Sequence, residues 1–122
     1  RVLVLTFWAT WCGPCKAEFP YFQRAYNKFK DNPAVAFLAV NSSWSSETPA
    51  KAKTFLMENK YTIPAAFDED AKVTQRFGVT GIPTTFLIDK TGKIQFKEVG
   101  FNQTEDYVGN LSLRIEELLK QK

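Results

Sequence analysis

The sequence predicts an α/β domain in which a mixed central β-sheet is flanked by helices. Three observations carry that expectation. Val2 to Phe7 and Ala34 to Val40 are nearly unbroken apolar runs, the pattern of strands buried on both faces of a sheet. The segment between them is amphipathic at helical spacing: Cys15, Phe19, Phe22, Tyr26 and Phe29 follow at steps of four, three, four and three residues. Later, Thr84 to Asp89 and Lys93 to Val99 flank the turn residues Lys90-Thr91-Gly92, which reads as a hairpin.

Taken in order, the first strand leads into a helix beginning near Gly13, and the second strand closes a β-α-β unit. A polar loop holding Trp44 follows. Thr48-Pro49 then supplies a cap and a first-turn proline for a helix to about Lys60. Tyr61 to Phe67 reads as extended, and a short helix is expected over Asp70 to Phe77, ended by Gly78. In the hairpin's second strand Ile94 and Phe96 alternate with Lys93, Gln95 and Lys97, so one face should be solvated and the strand close to an edge. Thr104, with Glu105 and Asp106 behind it, is the expected cap of a last helix whose Tyr107, Leu111, Ile115 and Leu118 form its buried stripe. Trp8 is expected in the core, while Trp44 reads equally as surface or as substrate contact.

Composition narrows the function. With 122 residues, 44% apolar and 15% aromatic, residues 1–122 fit one domain able to bury a core without metals or disulfide staples. Its two cysteines are therefore free for chemistry. Lys and Arg exceed Asp and Glu by only three, 16 against 13, and are scattered, so nucleic acid is not an expected partner. Histidine is absent, which removes the commonest general base and metal ligand. No apolar run approaches the roughly 18 residues of a membrane span. The chain opens directly on a strand-like segment and reads as a domain excised from a longer protein, so membrane attachment is expected only through an anchor ahead of Arg1.

Trp11-Cys12-Gly13-Pro14-Cys15-Lys16 holds both cysteines. Disulfide exchange needs one accessible low-pKa sulfur and a second within reach to resolve the mixed disulfide. At the start of a helix, unpaired N–H groups and the helix dipole favour a thiolate at Cys12. Cys15, one turn in on the apolar face, becomes the shielded resolving thiol. Half of a zinc site lacks its further Cys or His ligands, a structural disulfide closing so short a loop would stabilise little, and Lys16 stands where haem attachment requires histidine. Peroxide reduction would want an arginine partner, and none lies near Cys12 in sequence. Asn41-Ser42-Ser43, Asn102-Gln103-Thr104 and Asn110-Leu111-Ser112 match glycosylation triplets that arise often by chance.

With Gly81-Ile82-Pro83-Thr84 added to the Cys-x-x-Cys helix, the chain resembles the thioredoxin superfamily over nearly its whole length. Phe7-Trp8-Ala9-Thr10-Trp11-Cys12, Pro83-Thr84-Thr85-Phe86-Leu87-Ile88-Asp89 and the roughly forty residues between Val40 and Pro83 make it most similar to the TlpA/ResA-like thiol-disulfide oxidoreductases. The resemblance implies a thioredoxin fold with a helix-containing insert before a cis-proline at Pro83, and a backbone at Ile82 that pairs with an extended substrate. Pro20 matches the family's kink in the active-site helix. Thioredoxins proper bury an aspartate where this chain has Thr6. The acid-base candidate is instead Glu18, three residues after Cys15, where the TlpA/ResA-like proteins carry an acid.

The implied activity is reduction of protein disulfides. Cys12 and Cys15 are the redox pair, Glu18 exchanges protons, and Trp11, Gly13, Pro14, Ile82, Pro83, Gly100 and Phe101 form a substrate-binding rim. The redox-active disulfide replaces any cofactor, and no metal is expected. The implied partners are a protein disulfide and an electron-donating thiol, in an extracytoplasmic and often membrane-tethered setting, with cytochrome c maturation among the pathways; a cytoplasmic setting is the alternative. The competing class is a client-binding domain of a larger protein, against which the intact cysteines argue.

Overall fold

A computed structural model describes residues 1–121. The elements are β1 (Val2–Trp8), α1 (Gly13–Phe29), β2 (Val35–Ser42), α2 (Pro49–Glu58), β3 (Ala65–Asp68), α3 (Lys72–Arg76), β4 (Thr84–Ile88), β5 (Ile94–Val99) and α4 (Tyr107–Leu119). The strands form one sheet in the order β3-β2-β1-β4-β5. β1 lies parallel to β2 and antiparallel to β4, β2 is parallel to β3, and β4 is antiparallel to β5. The α/β sheet expected from the sequence is therefore mixed, as anticipated.

Strand alternation sorts the side chains. Val2, Val4 and Trp8 of β1, with Val35, Phe37 and Ala39 of β2 and Leu87 of β4, face a core shared with α1, α4 and Ala52 of α2. Leu5, Phe7, Val40 and Phe86 face the other side, covered by Phe77, Val79 and Trp44. Both faces are closed, which is why these strands read as continuous apolar runs. Phe19 is the hub of the larger core, with ring centroids 4.7 Å from Trp8, 4.9 Å from Tyr61 and 5.6 Å from Phe55.

Several local expectations are corrected. β2 runs on through Asn41 and Ser42, both buried, before the loop that holds Trp44 begins. Of the segment 61–67 only its end is a strand: β3 begins at Ala65 and adds an edge to the sheet through the helical insert. The helix expected over Asp70–Phe77 is split, because Asp70 and Ala71 take left-handed φ of 59° and 54°. The cause is Asp68, whose carboxylate accepts from the N–H of Val73 and Thr74 and the Thr74 hydroxyl, so the regular turn starts only at Lys72.

Asp106 caps α4 through the Gly109 N–H, not Thr104, whose N–H and hydroxyl are both taken by Asn102 Oδ1. Tyr107 is half-buried, whereas Leu111, Ile115 and Leu118 form the buried stripe. β5 is an edge strand on which only Phe96 is half-covered, beneath the Arg114 guanidinium at 4.8 Å; Ile94 is exposed. Helix α1 continues through Pro20, and Thr48 caps α2 on the Lys51 N–H at 3.2 Å.

Phe19 has no exposed surface. Phe19→Ala should lower unfolding free energy by about 3–5 kcal/mol, since a packed core relaxes only partly into the space a phenyl ring leaves. Urea unfolding checks this, with a lower midpoint and an unchanged slope as the expected result.

Candidate active site

β1 ends at Trp8, and four residues later Cys12 occupies the N-cap of α1 in extended conformation, with φ of −90° and ψ of 110°. The chain therefore delivers one sulfur to the exposed N–H groups of the first turn. The Cys15 N–H donates to Cys12 Sγ at 3.2 Å, and no acidic side chain occupies that first turn. Both features favour negative charge on Cys12 over Cys15. The two sulfurs are joined as a disulfide, with the Cα atoms 5.2 Å apart.

Exposure separates the pair less than the sequence suggests. Cys15 is fully buried, but Cys12 itself retains only 5% of its surface, wedged between the helix start and the loop before β4. The expectation of an exposed Cys12 is thus corrected to a recessed sulfur reached from one side. That loop carries the cis peptide Ile82–Pro83. Cys12 Sγ lies 3.6 Å from the Ile82 carbonyl oxygen. In the disulfide the sulfur has no proton to donate, so this is contact; a Cys12 thiol would have an acceptor waiting.

The rim divides in two. Trp11, 49% exposed, stands beside the recessed sulfur with exposed Gly13 and Pro14, half-buried Ile82 and buried Pro83. Gly100 takes a φ of +87°, open to glycine, and its N–H holds the Pro83 carbonyl at 2.7 Å. The Phe101 ring packs 5.5 Å from Tyr21 and 5.6 Å from Tyr107. With Gly100 it lines a cavity of about 50 Å³ between β5 and α4, which Glu18, Thr85, Glu98, Tyr107 and Arg114 also line.

Glu18 is 1% exposed and has no cationic partner among the described residues. Its Oε1 accepts from the Thr6 hydroxyl at 3.0 Å and its Oε2 from the Thr85 hydroxyl at 3.3 Å, while the two threonine oxygens are 3.2 Å apart. Burial pushes the Glu18 carboxyl up to about 7, against the lowering effect of the Thr6, Tyr107 and Thr85 hydroxyls, with the charge of Glu98 adding to the rise. The cluster suits either protonation state. Two hydroxyl protons serve an ionised carboxylate, and a protonated Glu18 donates to one threonine, which can then donate to the other. Glu18 and Cys15 sit one turn apart on α1, where side chains three residues apart start about 5–6 Å from each other. The Tyr107 hydroxyl is buried beside this carboxyl without a hydrogen bond of normal geometry, and burial followed by the Glu18 charge pushes its own pKa well above 10.

Sequence reasoning found Glu18 but not its partners Thr85 and Tyr107, and treated Thr6 only as a missing aspartate. A signal was present: a threonine where relatives bury an acid points to a hydroxyl that serves an acid elsewhere. Nor did it find Glu47, buried and bonded to Thr10 and Asn41. Among the described residues no group of three or more His, Cys, Asp and Glu could hold a metal, and no helix is long and apolar enough to cross a membrane.

What this fold and this site define is a thioredoxin-fold domain with a Cys12–Cys15 disulfide at the start of its first helix. The Redoxin family model matches residues 1–111, and the chain belongs to that family. It is 35% identical over 117 residues to the thiol-disulfide oxidoreductase ResA of Bacillus thuringiensis subsp. konkukian, covering 96% of this chain and 61% of that protein. Its identity with ResA of Bacillus subtilis is 38% over 104 residues, 85% of this chain and 55% of the relative. The chain therefore spans about three fifths of the length of the curated relatives it matches. The crystal structure of a Chlorobium tepidum protein given the name thiol:disulfide interchange protein DsbE superposes with a TM-score of 0.83 at 34% identity, covering 98% of this chain and 80% of that one.

The native state holds the Glu18 proton more tightly than the unfolded chain, where the group returns to 4.5. Stability from this group is then complete below about pH 4.5 and lost as pH rises through about 7, by ~3 kcal/mol. Urea midpoints at about pH 5 and about pH 8 should show that loss, and Glu18→Gln should flatten it. A slope unchanged in the variant would assign the effect to another group.

Proposed function

We propose that this chain reduces protein disulfides by cycling between a Cys12/Cys15 dithiol and the disulfide seen here. The observation that supports this best is the asymmetric pair: one sulfur at a helix N-terminus beside the Ile82–Pro83 loop, the other fully buried one turn on. The Cys12 thiolate attacks a substrate sulfur, forming a mixed disulfide and releasing one substrate thiolate. Cys15 then attacks Cys12 Sγ, closing the intramolecular disulfide and releasing the second thiolate. Two electrons have passed to the substrate, and a donor dithiol of a partner protein restores the pair.

Cys15 must lose its proton before it attacks, in a site closed to water. Glu18 is the base in this reading, because its carboxyl titrates near neutrality and shares a helix face with Cys15. On reduction it returns the proton to the Cys15 leaving group. Trp11, Gly13, Pro14, Ile82 and Pro83 form the docking rim, where an extended substrate segment pairs with the Ile82 backbone. Gly100 and Phe101 support it from the cavity side. No resident cofactor or metal is needed for these steps. The reducing direction follows from Gly13-Pro14 between the cysteines and from a chain without a histidine to stabilise the reduced thiolate. The resemblance to the TlpA/ResA-like proteins favours work outside the cytoplasm, on a domain tethered to a membrane by a segment beyond these residues.

Reduction of insulin disulfides under a regenerating thiol tests the reading. Cys12→Ser should abolish the rate, and Cys15→Ser should accumulate a mixed disulfide visible by mass spectrometry. Glu18→Gln should slow turnover by about 100-fold and remove an inflection near neutral pH. A rate indifferent to Cys12 would instead support a domain that only binds clients.

A further inference from the structure

The mechanism leaves the buried carboxylate of Glu47 unused. Glu47 is 7% exposed, lies in the loop between β2 and α2, and has no cation to pair with among the described residues. Burying an unpaired carboxylate is costly unless donors surround it. Here they do: the Thr10 N–H and the Asn41 Nδ2 donate to Oε2, the latter at 3.0 Å, and the Thr10 hydroxyl donates to Oε1 at 2.6 Å. Two of the three donors belong to one residue, two positions before Cys12. Asn41 is fixed near the end of β2, opposite Trp8 at the end of β1.

A second link joins the same loop to the same turn. The Trp11 indole N–H donates to the Trp44 carbonyl oxygen at 3.1 Å, although the ring is half exposed. The loop thus grips the residues immediately before Cys12 at two successive positions, through a carboxylate on Thr10 and a carbonyl on Trp11. Both grips fall in the turn between β1 and α1, and Asn41 ties the first of them to the end of β2. Their effect is on where Cys12 and the Trp11 ring stand.

We propose that Glu47 is a positioning residue for the dithiol: by holding the Thr10 N–H and hydroxyl it sets the turn that presents Cys12 and, together with the Trp44 carbonyl on Trp11, sets the surface against which a protein substrate docks. This rests on the oxidoreductase reading above and adds to it a residue that touches neither sulfur. A small disulfide needs only access to Cys12. A protein disulfide needs the Trp11 ring and the Ile82 backbone in register as well, so loosening the grip penalises the second substrate far more than the first.

The test compares Glu47→Ala, Glu47→Gln and Trp11→Phe on insulin and on glutathione disulfide, with hydrogen-deuterium exchange across residues 8–12. Glu47→Ala should lower kcat/KM for insulin about tenfold, chiefly through KM, and change that for glutathione disulfide less than about twofold. Exchange at the Thr10 amide should accelerate about tenfold while the sheet keeps its protection. Glu47→Gln should fall between wild type and Ala. It keeps a carbonyl oxygen for Thr10, and Asn41 can turn its amide, since its Oδ1 has no partner at present. It also serves should the alanine variant fail to fold. Trp11→Phe keeps a smaller aromatic ring, loses the N–H that holds the Trp44 carbonyl, and should lower kcat/KM for insulin in the same direction as Glu47→Ala.

Equal losses on both substrates, or unchanged exchange at Thr10, would overturn the proposal. Wild-type protein without Cys12-dependent turnover on either substrate would overturn the oxidoreductase reading instead, and the exchange result would still decide whether Glu47 holds the turn.

Discussion

The register between β1 and β4 is the constraint on which the site depends. Thr6 stands directly opposite Thr85, and Phe7 opposite Thr84, in this antiparallel pair. That pairing puts two hydroxyls side by side on the face packed under α1, where they meet Glu18, and brings the Ile82–Pro83 bend to the end of β1 from which Cys12 departs. A slip of β4 by one residue would turn Thr85 to the opposite face and bring Thr84 or Phe86 opposite Thr6. The apolar alternation of both strands makes such a slip expensive: Val4 and Trp8 lie under α1 and α2, while Leu5 and Phe7 lie in the second core.

Two carboxylates flank the same dithiol and are handled in opposite ways. Glu18 is buried with only hydroxyls for company, so desolvation dominates and its proton is held to near neutrality. Such a group can change charge inside the fold without breaking a hydrogen-bond network. Glu47 is also buried, yet a backbone N–H, a hydroxyl and an amide converge on it. Donors of that kind fix a geometry. Burial dominates at Glu18, and hydrogen-bond donors dominate at Glu47.

The legibility of these features in the sequence follows their range. Apolar runs and helical spacing located β1, α1, β2, β4 and α4, because each buries a face and burial leaves a period. The Cys12-Cys15 pair was legible because its chemistry requires two sulfurs at a helix start. Capping was harder. Thr48 was read correctly, but at Thr104 the Asn102 side chain competed for the same donors and moved the cap to Asp106. The kink at Asp70 and Ala71 was hidden because Asp68 reaches five and six residues forward.

By itself the sequence determined the mixed α/β architecture, the redox pair and the acid on its helix, since each is written in residue types a few positions apart. Only the tertiary structure decided that Cys12 is recessed, that Phe101 turns toward Tyr107, that Thr6 and Thr85 share one carboxyl, and that Glu47 grips Thr10 from 37 residues away. The physical reason is that desolvation and hydrogen-bond satisfaction depend on what surrounds a group in space, and strands far apart in the chain supply most of those surroundings.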